Sequence, residues 1–333
     1  MNHKNEPLSE EKIQKRNLTC FTFLHGLNDM HSTSLPTIIP MLVQSIGLSM
    51  SGAGMLNAVF GIRNIFAQPI IGYFADRQRR PWFAVWGPMI SASGACLLPM
   101  APSYGAALLT VGMMSMGTAL FHPQGTGKCG SSAGKNNLAF CISLFAACGS
   151  FGSAIGPLYV VFMISLLGKT FFPLMLLPIF AICLYIWHHT SAPISTELLP
   201  QDKADITGFI SNIKYLLSKV GGVVMMASLR DATFQGIKIF LPMLIITRGG
   251  TIAAGGFSLF AITLAGTAAG IAGGKLTNTV GDERILIASM SVSPIFILAG
   301  LHTAGLLSLA LLMAGFALLQ TSCPVTTAMA QKR

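Results

Sequence analysis

Charge is what this sequence has least of. Only 10% of its 333 residues are Asp, Glu, Lys or Arg, against about 25% in a soluble domain. So few charges cannot cover a water-facing surface of this size. Hydrophobic residues make up 52% of the chain and the mean hydropathy is +0.66, so lipid is the implied solvent. Acids are scarcer still, 11 against 21 Lys and Arg, for a net charge of +10. No basic stripe with interleaved aromatics accompanies that excess, which sets nucleic acid aside as a partner. The seven cysteines (Cys20, Cys96, Cys129, Cys141, Cys148, Cys183, Cys323) are odd in number and scattered, mostly inside apolar runs. They offer neither metal-ligand spacing nor a disulfide framework. A Gly-rich phosphate loop is missing, so direct ATP drive is not expected. No nucleophile–base pair or metal cluster marks an enzyme; neither cofactor nor metal is expected. The first apolar run is too long and too polar for a signal-peptide core, which leaves residues 1–17 as a polar cytoplasmic leader.

What the chain does have is apolar length. Runs near 18–44, 51–75, 82–100, 104–122, 138–167, 170–188, 221–247, 253–274, 284–301 and 304–328 are long enough to cross a bilayer as helices. The expectation is an all-α polytopic membrane protein with ten spans. Starting with the N-terminus inside, sixteen of the 21 Lys and Arg fall in cytoplasmic segments and only Lys169 and Arg248 in outside loops. That is a strong positive-inside bias, with both termini cytoplasmic. The longest break, 189–220, is polar and holds most of the loop acids; its Phe209–Lys219 stretch reads as a short amphipathic helix on the membrane surface. The break separates an N-terminal six-helix bundle (18–188) from a C-terminal bundle of four helices (221–333).

An internal echo supports the division. "GYFADRQRR" (Gly72 to Arg80) closes the second span, and "GKLTNTVGDER" (Gly274 to Arg284) closes the eighth. Both run Gly, any residue, bulky apolar, small, Asp or Asn, then a turn and basic residues. Parallel repeats of this kind are a transporter feature. The bland alternative is that any cytoplasmic helix end collects Gly and Arg.

"GYFADRQRR" resembles the loop signature of the major facilitator superfamily. Gly72, Ala75, Asp76, Arg77 and Arg80 match it, Phe74 replaces a Leu, and Arg79 stands where Gly is usual. "HGLNDMHSTSLPTIIP", "AQPIIGYFADR", "ALFHPQG" and "CPVTTAMAQ" are similar to the fosmidomycin-resistance branch, and the similarity runs over nearly the whole chain. The resemblance implies two six-helix bundles with the substrate path between them. It further implies alternating access and, for the branch, drug efflux driven by inward proton movement across a bacterial-type inner membrane. The expected partners are the lipid bilayer, a small-molecule substrate and protons. Ten spans stand where the family has twelve, so the last two helices are expected to be missing. Loss of those helices would leave Asp76 without its usual partner at the eleventh helix. In the second half the corresponding gating-loop positions are Gly274, Asn278, Gly281 and Arg284. Gly152, Gly156 and Pro157 in "GSFGSAIGPL" partly match the family's fifth-helix antiporter motif. The same small-residue spacing serves plain close packing.

The remaining signal is charge inside the membrane, where it is expensive and usually functional. His25, Asn28, Asp29 and Ser32 share one helical face. Counted from Leu18 at 1.5 Å per residue, Asp29 lies about 16 Å deep; Arg63 lies about 13 Å from the cytoplasmic end of the second span. Asp29 is expected to pair with Arg63 or to exchange that partner for a proton. The alternative is a permanent polar clamp between the first two spans. In the seventh span Asp231, Gln235 and Lys238 form an i, i+4, i+7 line with Arg230 beside it. That line is expected to face a central cavity and to contact an anionic substrate or a proton, unless Asp231 only neutralises Arg230 or Lys238. His122 reads as a structural hydrogen-bonder, His31 as ambiguous, and His188-His189 as a helix end.

Overall fold

The computed structural model describes residues 10–62, 67–75, 81–132, 138–189 and 206–331, and among these no residue is in a strand. The helices are α1 (Glu10–Ser32), α2 (Leu35–Ile46), α3 (Met50–Ile62), α4 (Gln68–Ala75), α5 (Trp82–Leu97), α6 (Tyr104–Ser131), α7 (Leu138–Phe171), α8 (Leu176–His189), α9 (Ile206–Thr247), α10 (Ile252–Val280), α11 (Asp282–His302) and α12 (Gly305–Gln331). Six described stretches are long and apolar enough to cross a membrane: Trp82–Met100, Tyr104–Ser131, Cys141–His189, Ile252–Gly273, Asp282–His302 and Gly305–Thr326. Cys141–His189, at 49 residues, far exceeds the roughly 20 needed for one crossing. It holds the fifth and sixth expected spans, parted at Gly168 (φ 69°) and the 3-10 turn Phe172–Met175.

The other expected spans are helical as well. Run 18–44 is split into α1 and α2, because Pro36 has no N–H to carry the ladder onward. Hydroxyls satisfy the break: Thr33 Oγ1 donates to the Asp29 carbonyl at 2.6 Å and Ser34 Oγ to the His31 carbonyl at 2.5 Å. Run 51–75 comprises α3 and α4, and residues 63–66 between them lie outside the described set.

One boundary is extended and one expectation is corrected. Helix α1 starts at Glu10, so residues 10–17 of the polar leader are helical and continuous with the first span; Lys15 and Glu11 pair across one turn at 2.6 Å. Phe209–Lys219 is not a separate surface helix but the opening turns of the 42-residue α9. Gly221 and Gly222 cost helix stability without removing a hydrogen bond, and no proline interrupts α9 before Pro242.

The chain divides into two compact units, Met1–Thr196 and Glu197–Arg333. In the first, α1 packs chiefly on α7 and α5 on α6, around Phe21, Leu24, Phe121, Phe145, Ile179 and Ile186. In the second, α10 and α11 pack on α12, around Leu241, Leu259, Ile262, Ile297, Leu312 and Phe316. Large apolar side chains such as Leu109 (68% exposed), Phe162 and Ile295 cover the outside, while Asn28, Ser91, Thr118 and Ser293 are fully buried. Polar groups inside and apolar groups outside suit lipid as the solvent.

Candidate functional site

The site in the first unit begins with how closely α1 and α7 approach. A Cβ placed on Gly152 would lie 2.0 Å from the Gly26 carbonyl oxygen, and one on Gly149 would strike the His25 ring at 2.3 Å. Glycine at these positions is therefore what permits the contact, as in other tightly packed membrane helices. Gly156 continues the same seam against the Met30 carbonyl, and Pro157 is buried beside it. The fifth-span motif thus has a packing role whether or not it also serves antiport. Thr33 Oγ1 donates across the seam to the Ser153 carbonyl at 3.2 Å.

Asp29 sits where this seam meets α6. Its Oδ1 accepts from Asn28 Nδ2 at 3.0 Å and lies 3.5 Å from His122 Nε2. Its Oδ2 lies 3.4 Å from His25 Nε2 and accepts from Ser153 Oγ at 3.5 Å. The carboxylate side chain is 15% exposed, His25 9% and His122 26%. His25 stacks on Phe145 (ring centroids 4.0 Å apart) and meets His122 edge-on.

One hydrogen bond constrains the chemistry. His25 Nδ1 lies 2.8 Å from the Phe145 backbone oxygen, which can only accept, so Nδ1 carries a hydrogen. A neutral His25 then turns the bare lone pair of Nε2 toward the Asp29 carboxylate. Two acceptors that close repel unless a cation lies between them. The pair is held together by a proton, on the imidazole or on the carboxylate, or by another cation in that place.

In the second unit Arg230 is buried, donates Nε–H to Asp231 Oδ1 at 2.9 Å and Nη1–H to Thr326 Oγ1 of α12 at 3.0 Å. Lys238 is buried with its Nζ 4.9 Å from the Phe234 ring centroid, a cation–π contact. Along that line Lys238 is buried, as is Arg230 beside it, while Asp231 and Gln235 are exposed. The reading in which Asp231 neutralises Arg230 matches this geometry.

Of the residues singled out from sequence, the structure brings His25, Asn28 and Asp29 together. Arg63, the expected partner of Asp29, lies outside the described residues, as do Asp76, Arg77 and Arg80. Gly72 is in α4, with Pro123 as its neighbour. Gly274 and Asn278 are in α10; Gly281, at φ 90°, turns the chain into α11, and Arg284 is exposed there. His31 belongs to a different contact, near the Tyr159 hydroxyl at 3.4 Å. His189 ends α8 with Nδ1 bonded to the Tyr185 carbonyl. Sequence reasoning read His122 as a structural hydrogen-bonder without placing it beside Asp29, and it missed Ser153. The available signal for His122 was the one that singled out Asp29: an ionisable side chain inside an apolar run.

The profile of the Major Facilitator Superfamily matches residues 21–332. The Fosmidomycin resistance protein of Escherichia coli (strain K12) is 33% identical over 153 residues, covering 46% of this chain and 37% of that protein. The present chain thus matches well under half of that relative's length. Among solved structures, a bacterial homolog of the human lysosomal transporter Spinster, inward-facing and unoccupied, superposes with a TM-score of 0.74 at 14% identity. That match covers 95% of this chain and 75% of the other. The E. coli fucose:proton symporter FucP gives 0.61 at 14% identity, covering 96% and 85%. With apolar helices, polar groups gathered inside each unit and a family match across nearly all its length, this multi-pass membrane chain belongs to the Major Facilitator Superfamily.

Proposed function

We propose that the chain is a proton-coupled secondary transporter exporting a small drug-like or anionic compound, such as fosmidomycin, by alternating access. Its basic loops face the cytoplasm and a proton gradient supplies the energy. The observation carrying the coupling is the His25–Asp29 pair: with Nδ1 committed to the Phe145 carbonyl, its facing acceptors 3.4 Å apart require a bound cation, and a proton is the cation always available. Release of that proton sets His25 and Asp29 against each other and weakens the contacts they make with Phe145 and Ser153 of α7 and His122 of α6, the differential interaction that coupling demands. Buried Lys238 in the second unit suits an anionic substrate, and the name of the E. coli relative supports fosmidomycin.

The test is proton flux in proteoliposomes on addition of fosmidomycin under an imposed pH gradient. Export predicts drug-dependent proton movement opposite to the drug, lost in Asp29→Asn, which keeps hydrogen bonding but cannot titrate. Undiminished coupling in that variant removes Asp29 as carrier. Uptake is the second reading, favoured by the likeness to a fucose:proton symporter; it predicts drug and proton moving the same way.

A further inference from the structure

We propose that His25, Asp29 and His122 form a binding site for one divalent transition-metal cation of the Zn²⁺, Co²⁺ or Ni²⁺ class. The inference goes beyond transport and does not depend on it. The three side chains offer ligand atoms that all lie within 4.8 Å of one another. His25 Nε2 lies 3.4 Å from Asp29 Oδ2 and His122 Nε2 3.5 Å from Asp29 Oδ1, so the carboxylate would hold the ion with both oxygens or turn one of them onto it. Bonds of about 2.0–2.1 Å to nitrogen and oxygen put neighbouring ligands about 3.3 Å apart. His122, a quarter exposed, has room to close the remaining separation.

The surroundings match a metal centre as well. A metal-bound imidazole ordinarily donates its other N–H to a carbonyl or carboxylate, which fixes the ring and raises its basicity. His25 does so to Phe145, leaving Nε2 aimed at the carboxylate. Asn28 and Ser153 hold the carboxylate oxygens in place. A further feature is not explained by hydrogen bonding within the protein: Asn28 is fully buried, yet its amide oxygen has no partner. That oxygen belongs to the same amide whose nitrogen bonds Asp29, one residue from that proposed ligand. Two imidazoles and one carboxylate select borderline cations over Mg²⁺ and Ca²⁺, which favour all-oxygen shells. The site was invisible as linear spacing because its third ligand comes from α6.

The experiment titrates Co²⁺ into the detergent-purified full chain carrying no polyhistidine tag, followed by visible absorption. The expected result is a set of d–d bands saturating at one Co²⁺ per chain, displaced by Zn²⁺ and unaffected by a hundredfold excess of Mg²⁺. His122→Gln and Asp29→Asn should each weaken Co²⁺ binding at least tenfold while still eluting as folded protein. His188→Ala with His189→Ala, at the exposed end of α8, should leave it unchanged. Absence of saturable bands overturns the proposal. So does binding that survives both site variants or disappears with the α8 histidines. Because the readout is direct binding, a chain that moves no drug but binds Co²⁺ this way refutes the transport reading alone.

Discussion

Alanine at Gly152 should separate α1 from α7. The added Cβ would lie 2.0 Å from the Gly26 oxygen, 2.7 Å from its carbonyl carbon and 2.9 Å from its Cα. All three are backbone atoms of another helix, so no side chain can swing aside. Ordinary carbon–oxygen contact lies at about 3.3 Å, and the helices must part by about 1.3 Å to reach it. Overpacking of this kind costs about 1–3 kcal/mol, offset by the roughly 0.5–1 kcal/mol that alanine gains over glycine inside a helix. A clash against rigid backbone belongs at the upper end of that range, so the net loss is about 2–2.5 kcal/mol, or about 4–10 °C in unfolding midpoint at 2–4 °C per kcal/mol. Gly112→Ala, where nothing lies within 4 Å of the new carbon, keeps only the gain and should raise the midpoint by about 1–4 °C. A thiol-reactive dye reports both, since Cys96, Cys129 and Cys183 are free and buried until the helices open. Parting the seam also lengthens the 3.5 Å Ser153–Asp29 contact, so Gly152→Ala should lose coupled transport with its stability. A Gly152→Ala chain as stable as the parent, or a destabilised Gly112→Ala, would refute the reasoning.

Gln124 of α6 accepts the Ala84 backbone N–H in the first turn of α5 at 2.8 Å, an N–H with no partner inside its own helix. Gln124→Leu should therefore lower stability by about 1–3 kcal/mol, measured as a midpoint shift. Thr326→Val strands one N–H of buried Arg230 and should cost about 1–3 kcal/mol; Thr326→Ser should restore the parent midpoint.

The sequence displayed its helices plainly because lipid allows few alternatives. A backbone in hydrocarbon must satisfy its own hydrogen bonds, so an apolar run of sufficient length becomes a helix. The ends of the runs were less legible. Lys15 and Arg16 mark 10–17 as polar, yet polarity does not stop a helix, and α1 simply continues outward. The same applies to the early turns of α9, where polarity suggested a break but nothing removed a hydrogen bond. Pro36 was the reverse case: a single missing N–H divides one expected span into two helices.

At the site, sequence reasoning reached His25, Asn28 and Asp29 because neighbours on one helix face obey a fixed spacing. It could not supply the ring around them. His122 and Ser153 arrive from α6 and α7, and the Phe145 carbonyl that sets the His25 tautomer has no side-chain signature at all. Composition and periodicity alone determined that this is a helical chain dissolved in lipid, with ionisable groups that must not face that lipid. Which of those groups meet was decided by the glycine seam between α1 and α7. Spacing along a helix is fixed by local geometry, but the approach of two helices depends on what every side chain between them leaves unfilled.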